Sequence, residues 1–425
     1  MQLPEEFVRY TRELMGEERF ERFMQAFDEE PPVSIRLNPL KTKGMTVIGG
    51  EPVPWCHEGY YLPRRPNFTM DPLLHAGYYY VQEAASMFVS HVLRQHIANR
   101  KSSNCKCLDL CAAPGGKSTA AISVLSEGSV LYSNEPVRQR ASILLENITK
   151  WGYPNCIVTN NYPRDYRRSK LKFDVILCDV PCSGEGMFRR DEATIREWSL
   201  QNVEKCWRLQ RDIVSDAWAC LNEGGLLIYS TCTFNTHENE ENVRWACEEL
   251  GAKVLPVETQ PDWNITGSLL PGFNAPVYRF IPGISRGEGL FMAVLRKSEK
   301  LEMRSERLEV RSEKYDYTRR SNLPSHLSPL TPPPSALTSH LSPLTSHISP
   351  QVDLTYSQSI AYLRGEALTL PADTPRGIIE VCFQGHPLGT MKNIGTRANN
   401  LYPKEWRIRT THTANDYDAI IRNDS

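Results

Sequence analysis

Between residues 105 and 250 the chain alternates five apolar runs with four stretches of helical period, and this alternation narrows the fold more than any other feature. The runs are CKCLDL (residues 105–110), SVLYSNE ending on Glu135, CIVTNN, FDVILCD (173–179) and GGLLIYS. The helical stretches span 118–125, 136–150, 200–221 and 238–250, with Pro136 suited to a first helical turn. Parallel strands cannot be joined by a tight turn and need a crossover, usually a helix. The pattern therefore predicts an α/β fold, a doubly wound, mostly parallel sheet. Two later runs, AKVLPVE and LFMAVLRK, are expected to close one edge as an antiparallel pair.

Around this core the composition divides the chain. Residues 1–100 read as a small helical and α+β region. Phe7, Tyr10, Leu14, Phe20, Phe23, Met24 and Phe27 recur at helical spacing and predict packing. PPVSIRLNPLK reads as a short strand, with Arg36 and Lys41 as candidate phosphate contacts, and 73–97 as one helix carrying Gln82, Glu83 and Ser86. Residues 101–297 hold the sheet. Residues 298–351 are charged, then rich in proline, serine and threonine, and repeat SHLSPLT at Ser325 and Ser339; this composition predicts an unpacked linker. Residues 352–425 return to a compact module in which GIIEVCFQGHPLGTMKN reads as strand, turn, strand. There Lys392, Arg397, Lys404, Arg407 and Arg409 interleave with Tyr402 and Trp406, a pattern suited to RNA contact.

A net charge of −1 excludes a uniformly basic nucleic-acid binder, so any polyanion must meet local patches. One candidate is Arg164, Arg167, Arg168, Lys170 and Lys172; Arg189 and Arg190 are another. Twelve cysteines without a compact spaced framework, an acidic amino terminus and no membrane-length apolar run point to a reduced, cytoplasmic protein, expected to be monomeric. Cys105, Cys107 and Cys111 lie close together, but no second pair completes a zinc set and HENEE at His237 lacks a second histidine. No metal is expected.

In open α/β sheets ligands bind beyond the carboxyl ends of the strands. The first run opens into Cys111, Ala112, Ala113, Pro114, Gly115, Gly116 and Lys117, small residues that let backbone approach a ligand at a helix start. Glu135 ends the second run, where a carboxylate can hold ribose hydroxyls. The loop is neither GxGxxG nor GxxxxGK[ST]. S-adenosylmethionine fits it better than a dinucleotide, although on these residues alone a nicotinamide oxidoreductase stays a close alternative.

Two thiols carry the next step. Cys182 follows the fourth run, just after Asp179, and Cys232 follows the fifth. Carbon 5 of cytosine is a poor nucleophile until a thiolate adds at carbon 6. An activated cysteine, a second group for release and a carboxylate at the N3/N4 edge would be needed. Cys232, Cys182 and Asp179 are the candidates.

The segments DLCAAPGGKS, NEPVRQRASILLENITKWG, FDVILCDVPCSGEGMFRRD and YSTCTFNTHENEENV resemble the RNA 5-methylcytosine methyltransferases of the Sun/Fmu type, as do SIRLNPLK and VQEAASM. The resemblance spans about residues 1–297. It implies a Rossmann-like class I methyltransferase that methylates carbon 5 of cytosine in RNA, most readily small-subunit ribosomal RNA. By position, Cys232 corresponds to the nucleophile and Cys182 to the thiol that assists release. Residues 111–117, Glu135 and Asp179 correspond to the S-adenosylmethionine site, with Asn161 standing where the family has a further carboxylate or amide. Asn160 and Asp165 are neighbouring candidates, and Val180 replaces the usual alanine or proline. GHPLGTMKNIGTRANNLYPKEWRIR resembles the β-rich PUA-like, RNA-binding end of bacterial members. The alternatives are a transfer RNA substrate and a noncatalytic RNA-binding assembly factor.

Overall fold

The computed structural model describes residues 3–97, 104–298, 327–331, 350–410 and 416–423. The amino-terminal aromatic stripe forms α1 (Glu5–Met15) and α2 (Glu17–Gln25). Its rings brace what lies below: Phe7 meets Phe188 at 5.0 Å and Trp198 at 5.6 Å, and Phe23 meets Phe234 at 5.1 Å. Phe188 and Phe234 each follow one of the two cysteine turns, so the stripe packs directly against them.

A four-stranded sheet follows, ordered β3-β4-β1-β5, from β1 (Ser34–Leu37), β3 (Glu51–Val53), β4 (Cys56–Tyr61) and β5 (Tyr79–Val81). Strand β2 (Met45–Val47) lies outside it. The single helix expected over 73–97 is instead α3 (Pro72–His75), β5 and α4 (Phe88–Ile97). Gly77 explains the break. It has φ +73°, and a Cβ there would sit 1.9 Å from the Lys150 carbonyl oxygen. Three tyrosines then pair with β1 or flank it.

The main sheet is ordered β11-β13-β10-β9-β6-β7-β8, with β12 alongside β13. Its strands are β6 (Lys106–Asp109), β7 (Val130–Asn134), β8 (Cys156–Thr159), β9 (Phe173–Asp179), β10 (Leu221–Thr231), β11 (Ala252–Leu255), β12 (Tyr278–Phe280) and β13 (Leu290–Lys297). β8, β7, β6, β9 and β10 are parallel, and β13 joins β10 and β11 antiparallel, as the two late apolar runs predicted. The crossovers are α5 (Gly116–Val124), α6 (Arg138–Trp151), α7 (Pro163–Ser169), α8 (Glu192–Glu197) with α9 (Leu200–Cys220), and α10 (Glu240–Leu250). Pro136 lies two residues before α6 rather than in its first turn. The chain runs outward from β6 to β8 and then returns to β9 on the other side, so the crevice opens between β6 and β9.

The carboxyl-terminal module has β14 (Gln351–Leu354), α11 (Tyr356–Arg364), β15 (Gly377–Phe383), β16 (His386–Asn393) and β17 (Ala398–Asn400), with β18 (Ile421–Asn423) pairing with β2. It shares one apolar core with the amino-terminal sheet: Ile35, Leu37 and Tyr79 pack with Ile360, Val381 and Met391. Tyr402 and Trp406 belong to that core, 3% and 7% exposed, which removes them as base-stacking groups. Lys392, Arg397, Lys404 and Arg409 are exposed, and Arg407 is half-buried. The unpacked linker expected over 298–351 lies mostly outside the described residues. Residues 327–331 are an exception and pair with β8.

One buried pair ties the antiparallel edge to the site. Arg279, 1% exposed, donates from Nε to Glu240 Oε1 at 2.7 Å and from Nη1 to the Phe234 carbonyl at 2.7 Å. Removing one partner of a buried ion pair strands the other charge. Glu240→Gln should therefore cost about 3 kcal/mol in urea unfolding followed by tryptophan fluorescence. A loss below about 1 kcal/mol would show that the pair does not hold this edge.

Candidate active site

At the carboxyl end of β9 the chain turns through Pro181, Cys182, Ser183, Gly184, Glu185 and Gly186; beyond β10 it turns through Cys232, Thr233, Phe234 and Asn235. The two turns exchange carboxylates. Glu185, from the first, accepts the backbone N–H groups of Phe234 at 2.7 Å and Asn235 at 3.0 Å in the second. Glu238, beyond the second, accepts the Ser183 N–H at 3.0 Å in the first. Asn235 Nδ2 donates to both, at 3.1 Å and 2.8 Å, and the hydroxyls of Ser183 and Thr233 meet at 2.8 Å. Gly186 donates its N–H to the Cys232 carbonyl at 2.8 Å. A Cβ on Gly186 would lie 2.8 Å from that oxygen and 2.8 Å from Gly289 Cα, so only glycine permits the approach.

The result is a pair of sulfurs. Cys182 Sγ and Cys232 Sγ are 3.3 Å apart, both free thiols and both half-buried, and the Cys232 N–H points at Cys182 Sγ at 3.4 Å. The hydrogen bond to Cys232, followed by burial, pushes the Cys182 thiol well above its ordinary range. The contact links the two sulfurs directly, and either can donate in it. Beside them Asp179 accepts Lys117 Nζ at 2.8 Å and Ser230 Oγ at 2.7 Å. Burial lowers the Lys117 pKa, but the charge and hydrogen bond of Asp179, with smaller contributions from Cys232 and Asp109, outweigh it and the net shift is upward. Lys117 thus remains a cation within electrostatic reach of the Cys232 sulfur.

The loop 111–117 leads from β6 into α5, whose cap is Gly115 at φ +114°, a left-handed conformation that favours glycine. Around it, three buried polar atoms make no hydrogen bond within the protein: Asp109 Oδ1, Asn161 Nδ2 and Glu135 Oε2, the last having only the Arg140 guanidinium at 3.6 Å. Glu135 is 1% exposed and uses its other oxygen on the Val137 N–H at 3.0 Å. Two acceptors and one donor, left open around a small-residue loop, fit a ligand with hydroxyl or amino donors and a ring-nitrogen acceptor. S-adenosylmethionine has all three.

The sequence matches three family models in succession: the N-terminal domain of 16S rRNA methyltransferase RsmF over residues 3–84, 16S rRNA methyltransferase RsmB/F over 97–296, and the methyltransferase RsmF PUA domain over 349–408. The chain belongs to the RsmB/F methyltransferase family. A protein named ribosomal RNA small subunit methyltransferase F from Pectobacterium atrosepticum is 32% identical over 319 residues, 70% of this chain and 63% of that protein. Its namesake from Escherichia coli O157:H7 is 31% identical over 324 residues, 70% and 64% of the two chains. The chain thus spans under two thirds of the length of these relatives. In fold it is similar to a methyltransferase homologue from Pyrococcus horikoshii, with TM-score 0.57 and 26% identity over 69% of this chain and 95% of that one. The structure of NSun6 from the same organism, with SFG, has TM-score 0.57 and 22% identity, covering 70% and 98%.

In this RsmB/F member several expected contacts are elsewhere. Arg36 is buried, bonding Gln82 Oε1 at 2.7 Å and Thr119 Oγ1 at 2.5 Å, and it braces α5 from behind rather than reaching phosphate. Lys41 Nζ is taken by the carbonyls of Ala76 and Lys150. Glu83 accepts the Ala85 and Ser86 N–H groups at 2.9 Å, a structural cap. Arg189 is sealed in an ion pair with Glu288 at 2.9 Å, whereas Arg190 is exposed. Lys170 and Lys172 precede β9, a strand length of roughly 20 Å from Asp179. They lie at the amino-terminal end of this central strand, opposite the site; Arg164, Arg167 and Arg168 are exposed on α7. Among the described residues no group of three or more His, Cys, Asp or Glu side chains could hold a metal ion.

Sequence reading missed Asp109, Glu185, Asn235 and Glu238. Burial, then the neighbouring Glu185 charge, raises Glu238 to about 7; burial likewise raises Asp109 to about 7. A carboxyl whose folded pKa lies above its unfolded value holds its proton more tightly when folded, so its charging opposes folding as pH rises from about 4.3 toward 7. Glu238→Gln should remove part of that decline. The loss in unfolding free energy between pH 5 and pH 8 should shrink by roughly 1–3 kcal/mol relative to the parent. An unchanged or steeper loss would contradict the assignment.

Proposed function

We propose that this chain transfers the methyl group of S-adenosylmethionine to carbon 5 of a cytosine in RNA, and that its substrate is small-subunit ribosomal RNA. The observation that carries the reading is the pair of free thiols 3.3 Å apart beside Asp179 at the mouth of a class I methyltransferase sheet. A nicotinamide oxidoreductase has no use for that pair, and a noncatalytic assembly factor has no need of it. The relatives' printed names support the choice of ribosomal RNA, and the match to a PUA domain supports an RNA partner. The protein is read as a cytoplasmic monomer.

When bound, S-adenosylmethionine supplies an electrophilic methyl group on a charged sulfur. Glu135 would hold the ribose through the oxygen that makes no hydrogen bond, the amino-terminal turn of α5 would receive the carboxylate, and Asn161 would serve the base. The Cys232 sulfur, its proton released to solvent and the resulting thiolate opposed by the Lys117 cation, adds to carbon 6 of the target ring. Asp179 is already oriented by Lys117 and Ser230, and each of its oxygens keeps a lone pair for the amino group of cytosine. Carbon 5 is then nucleophilic and would take the methyl group as that group's bond to the donor sulfur breaks; its proton passes to solvent, and the C–H electron pair restores the ring double bond and expels Cys232 as a thiolate. As the ring expels Cys232, the Cys182 thiol donates to the departing sulfur, restoring the starting hydrogen bond. The target base must be unstacked to reach this crevice.

Cys232→Ala should lower methyl transfer at least 10³-fold while leaving S-adenosylhomocysteine binding within about twofold of the parent. Bisulfite sequencing of RNA from cells lacking the protein should lose 5-methylcytosine at a ribosomal position. Loss at a transfer RNA position only would overturn the substrate, and full activity in Cys232→Ala would overturn the chemistry.

A further inference from the structure

Strand β8 ends the parallel sheet, and an uncovered edge of this kind presents unpaired backbone groups. Residues 327–331, Leu-Ser-Pro-Leu-Thr, cover it. Asn160 donates its N–H to the Ser328 carbonyl at 3.0 Å and Leu330 donates to the Val158 carbonyl at 2.9 Å, with Thr159 facing Pro329 between them. That is the one register a proline tolerates. In an antiparallel pair, alternate residues aim their N–H away from the partner, and Pro329 occupies such a place. Leu327 is 4% exposed among the core residues of β6, β7 and β9, and Leu330 packs against the cluster of Ala112, Leu144, Ile148 and Val158. The segment is thus anchored at two points, one of them a cluster that includes Ala112 of the cofactor loop.

A fifth contact gives the docking a consequence. The Ser328 N–H donates to Asn161 Oδ1 at 3.0 Å. Asn161 is 6% exposed, its backbone is locked to the Asn134 side chain in both directions, and its Nδ2 has no protein partner. A carboxamide can turn over about its last torsion and exchange donor for acceptor at little cost. The Ser328 N–H removes that choice, because only the oxygen can receive it. Nδ2 must then present a donor, buried and without a protein partner, at the end of β8 next to the β7 end that carries Glu135. The ring nitrogens of adenine are acceptors, whereas its exocyclic amine is a donor; the fixed amide suits the former.

We propose that residues 327–331 are a strap that docks as an extra edge strand on β8 and sets the Asn161 amide to read the adenine of the methyl donor. This rests on the reading of the crevice as an S-adenosylmethionine site. Ser328 is a positioning residue, acting through Asn161. The same seven-residue unit recurs in the sequence at 339–345, with Ser342 in the place of Ser328, so the variants change both serines.

The test is calorimetric binding of S-adenosylhomocysteine to the full chain. Ser328→Pro/Ser342→Pro deletes the donor but keeps the carbonyl that pairs with Asn160; Ser328→Ala/Ser342→Ala keeps both. The proline pair should bind roughly three- to tenfold more weakly, the loss expected of one hydrogen bond, and the alanine pair within twofold of the parent. The KM for the methyl donor should rise by the same factor with the KM for RNA unchanged. Hydrogen exchange supplies a second readout: Asn160 should lose protection in Leu327→Ala/Leu341→Ala while β6 and β9 keep theirs. Equal affinities across parent, proline and alanine pairs would overturn the strap alone. A parent chain that binds no S-adenosylhomocysteine would overturn the cofactor reading with it.

Discussion

Two buried carboxylates, each bonded to the other's turn, are the constraint on which the site depends. Glu185 reaches across to the backbone beyond Cys232, and Glu238 reaches back to the backbone beyond Cys182. Hydrogen bonds to charged acceptors contribute roughly 1.5–3 kcal/mol each, more than neutral ones, and here they fix position as much as stability. Burial and mutual repulsion raise Glu238 to about 7, so the clasp is held against an electrostatic cost. What it achieves is a sulfur–sulfur distance of 3.3 Å between residues fifty positions apart. Neither turn alone would hold its thiol at the crevice.

The rest of the chain supports that clasp from several sides. The sheet switches direction between β6 and β9, which opens the crevice where Asp179 and the loop 111–117 meet. The amino-terminal aromatics press on Phe234, whose own N–H binds Glu185, and on Phe188, just past the first turn. Arg279 holds the Phe234 carbonyl from the antiparallel edge. The carboxyl-terminal module shares its core with the amino-terminal sheet rather than hanging from a tether.

Much of this was legible in the residues. Strand and helix alternation predicted the parallel sheet, and the placement of Cys182, Cys232 and Asp179 at strand ends predicted their convergence, because side chains there face the crevice whatever the loops do. The failures share a physical cause: charge and aromaticity do not report burial. Arg36, Lys41 and Arg189 looked like phosphate contacts and are instead bonded within the fold; Trp406 and Tyr402 looked like stacking platforms and are core. The expected helix over 73–97 failed at Gly77, where a single left-handed residue redirects the chain. Glu185 and Glu238 gave no signal, since a carboxylate that bonds a distant backbone N–H follows no local period. The composition of 298–351 predicted no packing, yet two leucines and a well-placed proline suffice to dock 327–331.

The central claim is that the paired sulfurs have different jobs, Cys232 bonding the base and Cys182 releasing it. Denaturing electrophoresis of RNA incubated with Cys182→Ala, in the presence of S-adenosylmethionine, tests it most directly. A denaturant-stable protein–RNA adduct that vanishes in Cys182→Ala/Cys232→Ala is the predicted result. An adduct that persists in the double variant, or one that forms with Cys232→Ala instead, would contradict it.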